Sequence, residues 1–205
     1  VSKGTLLVVS GPSGVGKNTV LEEFCRRHPS VIYSISATTR TPRAHEVEGK
    51  DYYFLTTEEF EERIRRDGFL EWAEFCGKLY GTPADFVHEQ LFNGHDLVMD
   101  IEIQGALQVK QRLPQAVLVF LLPPSLEELR KRIEGRGTED ERSVTARLDV
   151  AIQELKTVER YDYAVVNNDV GQAADELWSI LVATKARIKG NYRTVLGQYW
   201  QSIPF

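Results

Sequence analysis

Four short apolar runs punctuate the chain: LLVV (6–9), LVMDI (97–101), AVLVFLL (116–122) and YAVV (163–166). A strand with one wet face alternates polar and apolar residues; these runs are continuous, and so predict parallel strands buried on both faces. Between them, apolar residues recur at helical spacing. Val20, Leu21 and Phe24 follow the first run, and Leu126, Leu129 and Ile133 follow the third, where Ser125 and Glu128 form an S-x-x-E capping box. Strands alternating with helices predict a doubly wound α/β domain, a three-layer core around a parallel sheet.

Residues 36–93 break this pattern. DYYFL and FLEWAEF carry alternating aromatics suited to a small mixed sheet, and TTEEFEERIRRDG reads as one helix entered through Thr56 and Glu59 and closed by Gly68. The expected organisation is a core of residues 1–35 and 94–190 with an inserted α+β lobe at 36–93. A second insertion, EGRGTEDERS (134–143), is polar, glycine-bearing and flanked by helices, and is expected to be a lid. The last helix is expected to end near Gly190, leaving a tail at 191–205 to which the pattern assigns no role.

Composition narrows the partners. With 205 residues, 42% hydrophobic and 27% charged, the chain fits one substantial core or a core with a small lobe, which excludes disordered and collagen-like classes. A formal net charge of -5 gives no general attraction to nucleic acid or to an anionic membrane, so small-molecule partners are expected. Cys25 and Cys76 make no disulfide framework or zinc spacing, and they read as buried spectators of a reducing compartment. There is no apolar run of membrane-spanning length and no signal-peptide pattern at the start of the sequence, so the expected location is cytoplasmic. Monomer and homo-oligomer are equally open.

The chemistry centres on SGPSGVGKNTV (10–20), which meets G-x-x-x-x-G-K with Gly11, Gly16 and Lys17. It follows an apolar strand and opens a helix, the context in which backbone N–H groups turn inward on a phosphate and the lysine reaches its outer oxygens. Asn18 stands where a magnesium-binding hydroxyl is usual, with Thr19 after it. Asp100, at the end of LVMD, is placed to orient hydrated magnesium. Arg40 and Arg43 flank Pro42, which restricts the chain; with Tyr52 they form either a second phosphate site or a solvated surface pair. Arg132, Arg136 and Arg147 can close over a triphosphate or pair with Glu134, Glu139, Asp140 and Glu141. His28, His45, His88 and His95 have neither triad nor metal spacing and read as surface or helix-end residues.

Through SGPSGVGK, SATTRTPR, EGKDYYF, FLEWAEF, YGTP, DIEIQG and EGRGTE, the sequence resembles the guanylate kinase family from about residue 5 to 190. The resemblance implies a P-loop kinase that transfers the γ-phosphoryl group of Mg-ATP to GMP. On the ATP side it implies Gly11, Ser13, Gly14, Val15, Gly16, Lys17, Asn18, Thr19, Arg132, Arg136 and Asn167. On the GMP side it implies Arg40, Arg43, Tyr52 and Tyr80 at the phosphate, and Ser36, Glu71, Thr82, Asp100 and Glu102 around the base. Lys17, Arg40, Arg136 and Arg147 are the implied catalytic residues, and Asp100 the implied magnesium partner through water.

The residue chemistry agrees with a guanine acceptor: a carboxylate such as Glu71 can accept from N1–H and the 2-amino group, while a hydroxyl such as Thr82 can donate to O6. A phosphorylated-sugar kinase would have no use for that pair. A related scaffold module that binds phosphopeptides without catalysis typically loses the P-loop lysine and lid arginines, which are kept here. The family pattern is broken at Asn18 and at His45, which replaces a usual glycine and would strain the turn if it needed a positive φ.

Overall fold

The computed structural model describes residues 4–135 and 141–187, without the side chains of Glu141 and Arg142. Its central sheet has strands β1 (Leu6–Ser10), β2 (Ile32–Tyr33), β7 (Leu97–Asp100), β8 (Val117–Leu122) and β9 (Tyr163–Val166). They run parallel in the order β2-β7-β1-β8-β9. Successive side chains of a strand point to opposite faces, and β1 feeds two cores. Leu7 and Val9 pack with α1 (Lys17–Arg27) and α7 (Val170–Ala186) through Phe24, Leu177 and Leu181. Leu6 and Val8 pack with α3 (Ala84–Phe92) and α4 (Ile103–Arg112) through Val87, Leu91, Ala106 and Val109. That double burial is why β1, β7 and β8 read as continuous apolar runs. YAVV departs from the expectation: β9 is an edge strand in which only Val165 is buried, because no further strand covers its outer side.

A second sheet, in the order β4-β3-β6-β5, is formed by β3 (Ala37–Thr38), β4 (Tyr53–Phe54), β5 (Phe69–Phe75) and β6 (Lys78–Pro83). It has its own cluster of Ala37, Phe60 and Phe69, in which the Phe60 and Phe69 rings stack with centroids 4.3 Å apart. Phe60 comes from α2 (Thr57–Arg65), whose start carries the full capping box between Thr56 and Glu59. The hairpin joining β5 to β6 turns at Cys76 and Gly77, both at positive φ, 51° and 70°, as a tight two-residue turn requires. Cys76 is therefore exposed and Cys25 only half-buried, so neither is the buried spectator expected from the sequence.

The helices α5 (Leu126–Glu134) and α6 (Glu141–Leu155) pack on each other through Leu129, Ile133, Val144 and Ala151. Ser125 caps α5 by accepting from the Glu128 N–H at 3.0 Å, but the Glu128 carboxylate takes the Arg132 Nε, so only half of the expected box forms. Of the expected lid, Glu134 and Gly135 close α5 and 141–143 open α6, while 136–140, with Arg136, lie outside the described residues. The α7 helix stops at Ala186 rather than near Gly190, because Arg187 turns extended and returns its N–H to the Thr184 carbonyl at 3.1 Å. The tail at 191–205 is outside the described residues. Replacing Phe60 with alanine is expected to cost about 3–5 kcal/mol in urea denaturation, the range for a fully buried aromatic. A cost below about 1 kcal/mol would show that the ring stack does not hold the second sheet together.

Candidate functional site

In an open parallel sheet, ligands sit beyond the carboxyl ends of the strands, where neighbours of a central strand diverge. Here β1 lies between β7 and β8, and its end, Ser10, leads directly into the loop at 11–16 and then α1. Lys17 is the first residue of α1, and its Nζ donates to the Gly11 carbonyl at 2.9 Å. Gly14 and Gly16 have φ of 86° and 96°, a region that side chains rarely adopt. The carboxyl ends of other strands converge on this loop. Asn167, just after β9, is buried and donates from Nδ2 to the Val15 carbonyl at 2.8 Å. Arg132 on α5 donates to the same carbonyl and to that of Asn167, each at 3.2 Å. Arg147 on α6 donates to the Ser13 hydroxyl at 2.8 Å. In this geometry Asn167 and Arg132 brace the loop from behind. Asn18 and Thr19 are exposed in the first turn of α1.

Asp100 ends β7 beside the loop. Burial pushes its carboxyl up to about 6, the facing Lys17 opposes this, and Glu102 adds to it. Glu102 is exposed and forms the N-cap position of α4. Among the described residues, no group of three or more His, Cys, Asp or Glu is placed to hold a metal directly.

The lobe-side residues gather on the second sheet. The Arg40 guanidinium is gripped end-on by Glu46 at 2.9 and 2.8 Å and donates to the Thr41 carbonyl at 3.0 Å. It lies 5.4 Å from the Tyr52 ring centroid, and Tyr52 meets Tyr80 edge-on at 6.2 Å. Arg43 is exposed, and its N–H donates to Glu46 at 2.7 Å. The Arg40 bond, helped by this N–H, holds the Glu46 carboxyl down at about 2. Glu46, six residues on, is what fixes Arg40 rather than Pro42, and no local spacing rule in the sequence announces that pair. His45 needs no special backbone, since positive φ among the described non-glycine residues is confined to Asp67 and Cys76. His28 ends α1 stacked on Trp178 at 3.9 Å, and His45, His88 and His95 are exposed.

Glu71 and Thr82 are partners directly across the β5–β6 ladder, beside a register shift between Phe69 and Glu71 that re-aims the strand. Both are buried, and the Thr82 hydroxyl donates to Glu71 Oε1 at 2.7 Å. The Thr82 hydroxyl, expected from the sequence as a donor to the ligand, donates in this structure to the Glu71 carboxylate and orients it. Ser36 is half-buried just before β3.

A P-loop between a central parallel strand and a helix, with an invading lysine and a braced backbone, defines a nucleotide-phosphate-binding α/β protein. The comparisons give the family. The sequence model described as guanylate kinase matches residues 3–184. The chain is 53% identical over 186 residues to a guanylate kinase of Desulfitobacterium hafniense (strain Y51), covering 91% of this chain and 93% of that one. It is 48% identical over 189 residues to one from Caldanaerobacter subterraneus subsp. tengcongensis, covering 92% of each. The crystal structure of guanylate kinase from Anaplasma phagocytophilum matches with a TM-score of 0.72 at 36% identity, over 91% of this chain and 89% of that one. The chain belongs to the guanylate kinase family.

Burial pushes the Glu71 carboxyl above its ordinary value, with the Thr82 bonds opposing. A raised acid keeps its proton in the folded chain after the unfolded chain has lost it, so stability falls as pH rises through that window. Glu71→Gln keeps an oxygen for Thr82 and loses the buried charge. It is expected to melt above the parent at pH 7 by a few degrees, at about 2–4 °C per kcal/mol. The difference should close once pH falls below the unfolded carboxyl's 4.5. Calorimetry across pH checks this, and a variant melting below the parent at pH 7 contradicts it.

Proposed function

We propose that the protein transfers the γ-phosphoryl group of Mg-ATP to GMP, giving ADP and GDP, as part of purine nucleotide metabolism. The observation that carries this reading is Glu71: a buried carboxylate with no cation beside it among the described residues, oriented by Thr82 on the sheet beside Arg40, Tyr52 and Tyr80. A guanine edge offers such a carboxylate two donors, N1–H and the 2-amino group. Adenine would oppose it with the N1 acceptor and leave buried groups unpaired. With the Thr82 proton engaged by Glu71, the donor to guanine O6 falls to Ser36.

The acceptor needs no general base, because the second pKa of a phosphate monoester is about 6 and its oxygen is already anionic near neutral pH. The protein's work is alignment and charge. The loop N–H groups and Lys17 hold the donor phosphates. Arg40 and Arg43 hold the GMP phosphate with Tyr52 and Tyr80, while Arg147 and, by family resemblance, Arg136 meet the charge on the group in transfer. Asp100, with the exposed Asn18 and Thr19, supplies only oxygen donors, a set that suits magnesium held mainly by phosphates and water. When bound, the ion neutralises charge on the outer phosphates. Glu46 holds the Arg40 fork in place before GMP arrives. No helix among the described residues is long and apolar enough to cross a membrane, and the two free cysteines suit a reducing, cytoplasmic setting.

Steady-state ADP release with GMP, AMP, CMP and ribose phosphate tests the assignment: GMP alone should support rapid, magnesium-dependent turnover. Equal use of AMP would overturn it. Lys17→Ala should lower turnover by orders of magnitude. Asn18→Ser or Asn18→Gly should stay within about tenfold, or about 1.4 kcal/mol in the barrier. Turnover that appears only after Asn18 becomes serine would mark the loop as disabled and favour a scaffold role.

A further inference from the structure

Helix α4 lies along β5 and is tied to it at two levels. One turn beyond Gly105, the Gln108 side chain makes both amide bonds to the Trp72 backbone, accepting at 3.3 Å and donating at 3.2 Å, much as a neighbouring strand would. A turn further on, Arg112 donates to the Phe69 carbonyl at 2.7 Å and pairs with Asp67 at 2.5 Å. These ties fix the distance between helix and strand. In the first turn of α4 they bring Gly105 so close to Glu71 that a Cβ on it would stand 2.7 Å from Oε2 and 3.2 Å from the carboxyl carbon. Gly105 is buried and has no positive φ, so backbone conformation does not demand a glycine there. In a helix interior, glycine is disfavoured relative to alanine. What the position requires is the absence of a side chain.

We propose that Gly105 is a specificity-determining residue for the acceptor base: its missing side chain lets the first turn of α4 close on Glu71, and any Cβ displaces that carboxylate from the position that reads guanine. This deepens the guanylate kinase reading and rests on it. Glu71 is held at Oε1 by Thr82, and its Oε2 lies close against Gly105 in the first turn of α4. The positive end of the α4 dipole also favours the ionised form of a carboxylate whose charge burial disfavours. A methyl group at 105 meets the far end of a flexible side chain, so the fold can yield cheaply by moving Glu71. The carboxylate then leaves Thr82, and the base edge loses its acceptor. Gly105 itself touches no substrate; it acts through Glu71.

The test compares GMP with IMP, which lacks the 2-amino donor, in steady-state phosphorylation by Gly105→Ala. The GMP-to-IMP ratio of kcat/KM should fall at least tenfold, while KM for ATP stays within twofold and the melting temperature within a few degrees. In a Glu71→Gln background the same substitution should change that ratio by less than twofold, because the group it acts through is gone. A ratio preserved in Gly105→Ala, a matching rise in KM for ATP, or an equal drop in the Glu71→Gln background would each overturn the proposal. If Gly105→Ala folds poorly, adding Glu71→Ala should restore the fold by removing the colliding side chain, and a double variant that stays unfolded also overturns it. A parent enzyme that does not phosphorylate GMP would instead sink the underlying assignment.

Discussion

At Gly16 a side-chain carbon would stand 2.7 Å from the Asn167 amide nitrogen, the same nitrogen that donates to the Val15 carbonyl. The phosphate loop depends on that approach. A loop whose N–H groups point inward at a ligand leaves carbonyls pointing outward, and a buried carbonyl needs a donor. Val15 receives two, from the end of β9 and from α5. Anything larger than glycine at 16 would push Asn167 away and release the brace. Gly14 plays a parallel part against α5, where an added carbon would meet Ile133 at 2.9 Å. The loop is thus shaped by its neighbours as much as by its own sequence.

The molecule separates folding from chemistry along each central strand. The bodies of β1, β7 and β8 are buried apolar on both faces and carry the burial energy. Their carboxyl ends carry Ser10, Asp100 and the turn toward α5. Two acids with raised carboxyls, the half-buried Asp100 and the buried Glu71, mark the opposite sides of the site. Asp100 faces Lys17 across the phosphate side, whereas among the described residues Glu71 meets Thr82 and the start of α4. A carboxylate kept dry without a cation costs stability. On the proposed function that cost is offset by discrimination, because the carboxylate would reject a base that cannot donate to it.

Much of this was legible in the chain, for reasons that differ by element. LLVV, LVMDI and AVLVFLL announce buried strands because double burial suppresses alternation, and Thr56 with Glu59 announces α2 because capping is local. YAVV misleads, because an edge strand in a parallel sheet can be as apolar as a central one. The two-residue strands β2, β3 and β4 leave no periodicity to read. Side-chain types were legible at the site, but their partners were not. The Thr82 hydroxyl could be placed near Glu71 only by a ladder register, and the bracing role of Asn167 only by the meeting of β9 with the loop. Glu46, six residues after Arg40, has no local spacing that would announce its grip on the guanidinium. The DIEIQG glycine reads as an ordinary helix weakness until α4 is laid along β5.

On the proposed function, one buried carboxylate, Glu71, selects the acceptor base. The most direct measurement is the GMP-to-AMP ratio of kcat/KM for the parent and Glu71→Gln under identical magnesium and ATP. Placing an amide donor against the guanine donors should cost about 1–3 kcal/mol, the scale of an unsatisfied buried group. The ratio should then fall by roughly 5- to 150-fold, at about 1.4 kcal/mol per tenfold. A ratio left unchanged by the substitution would contradict the account, because the base would then be read by something other than Glu71.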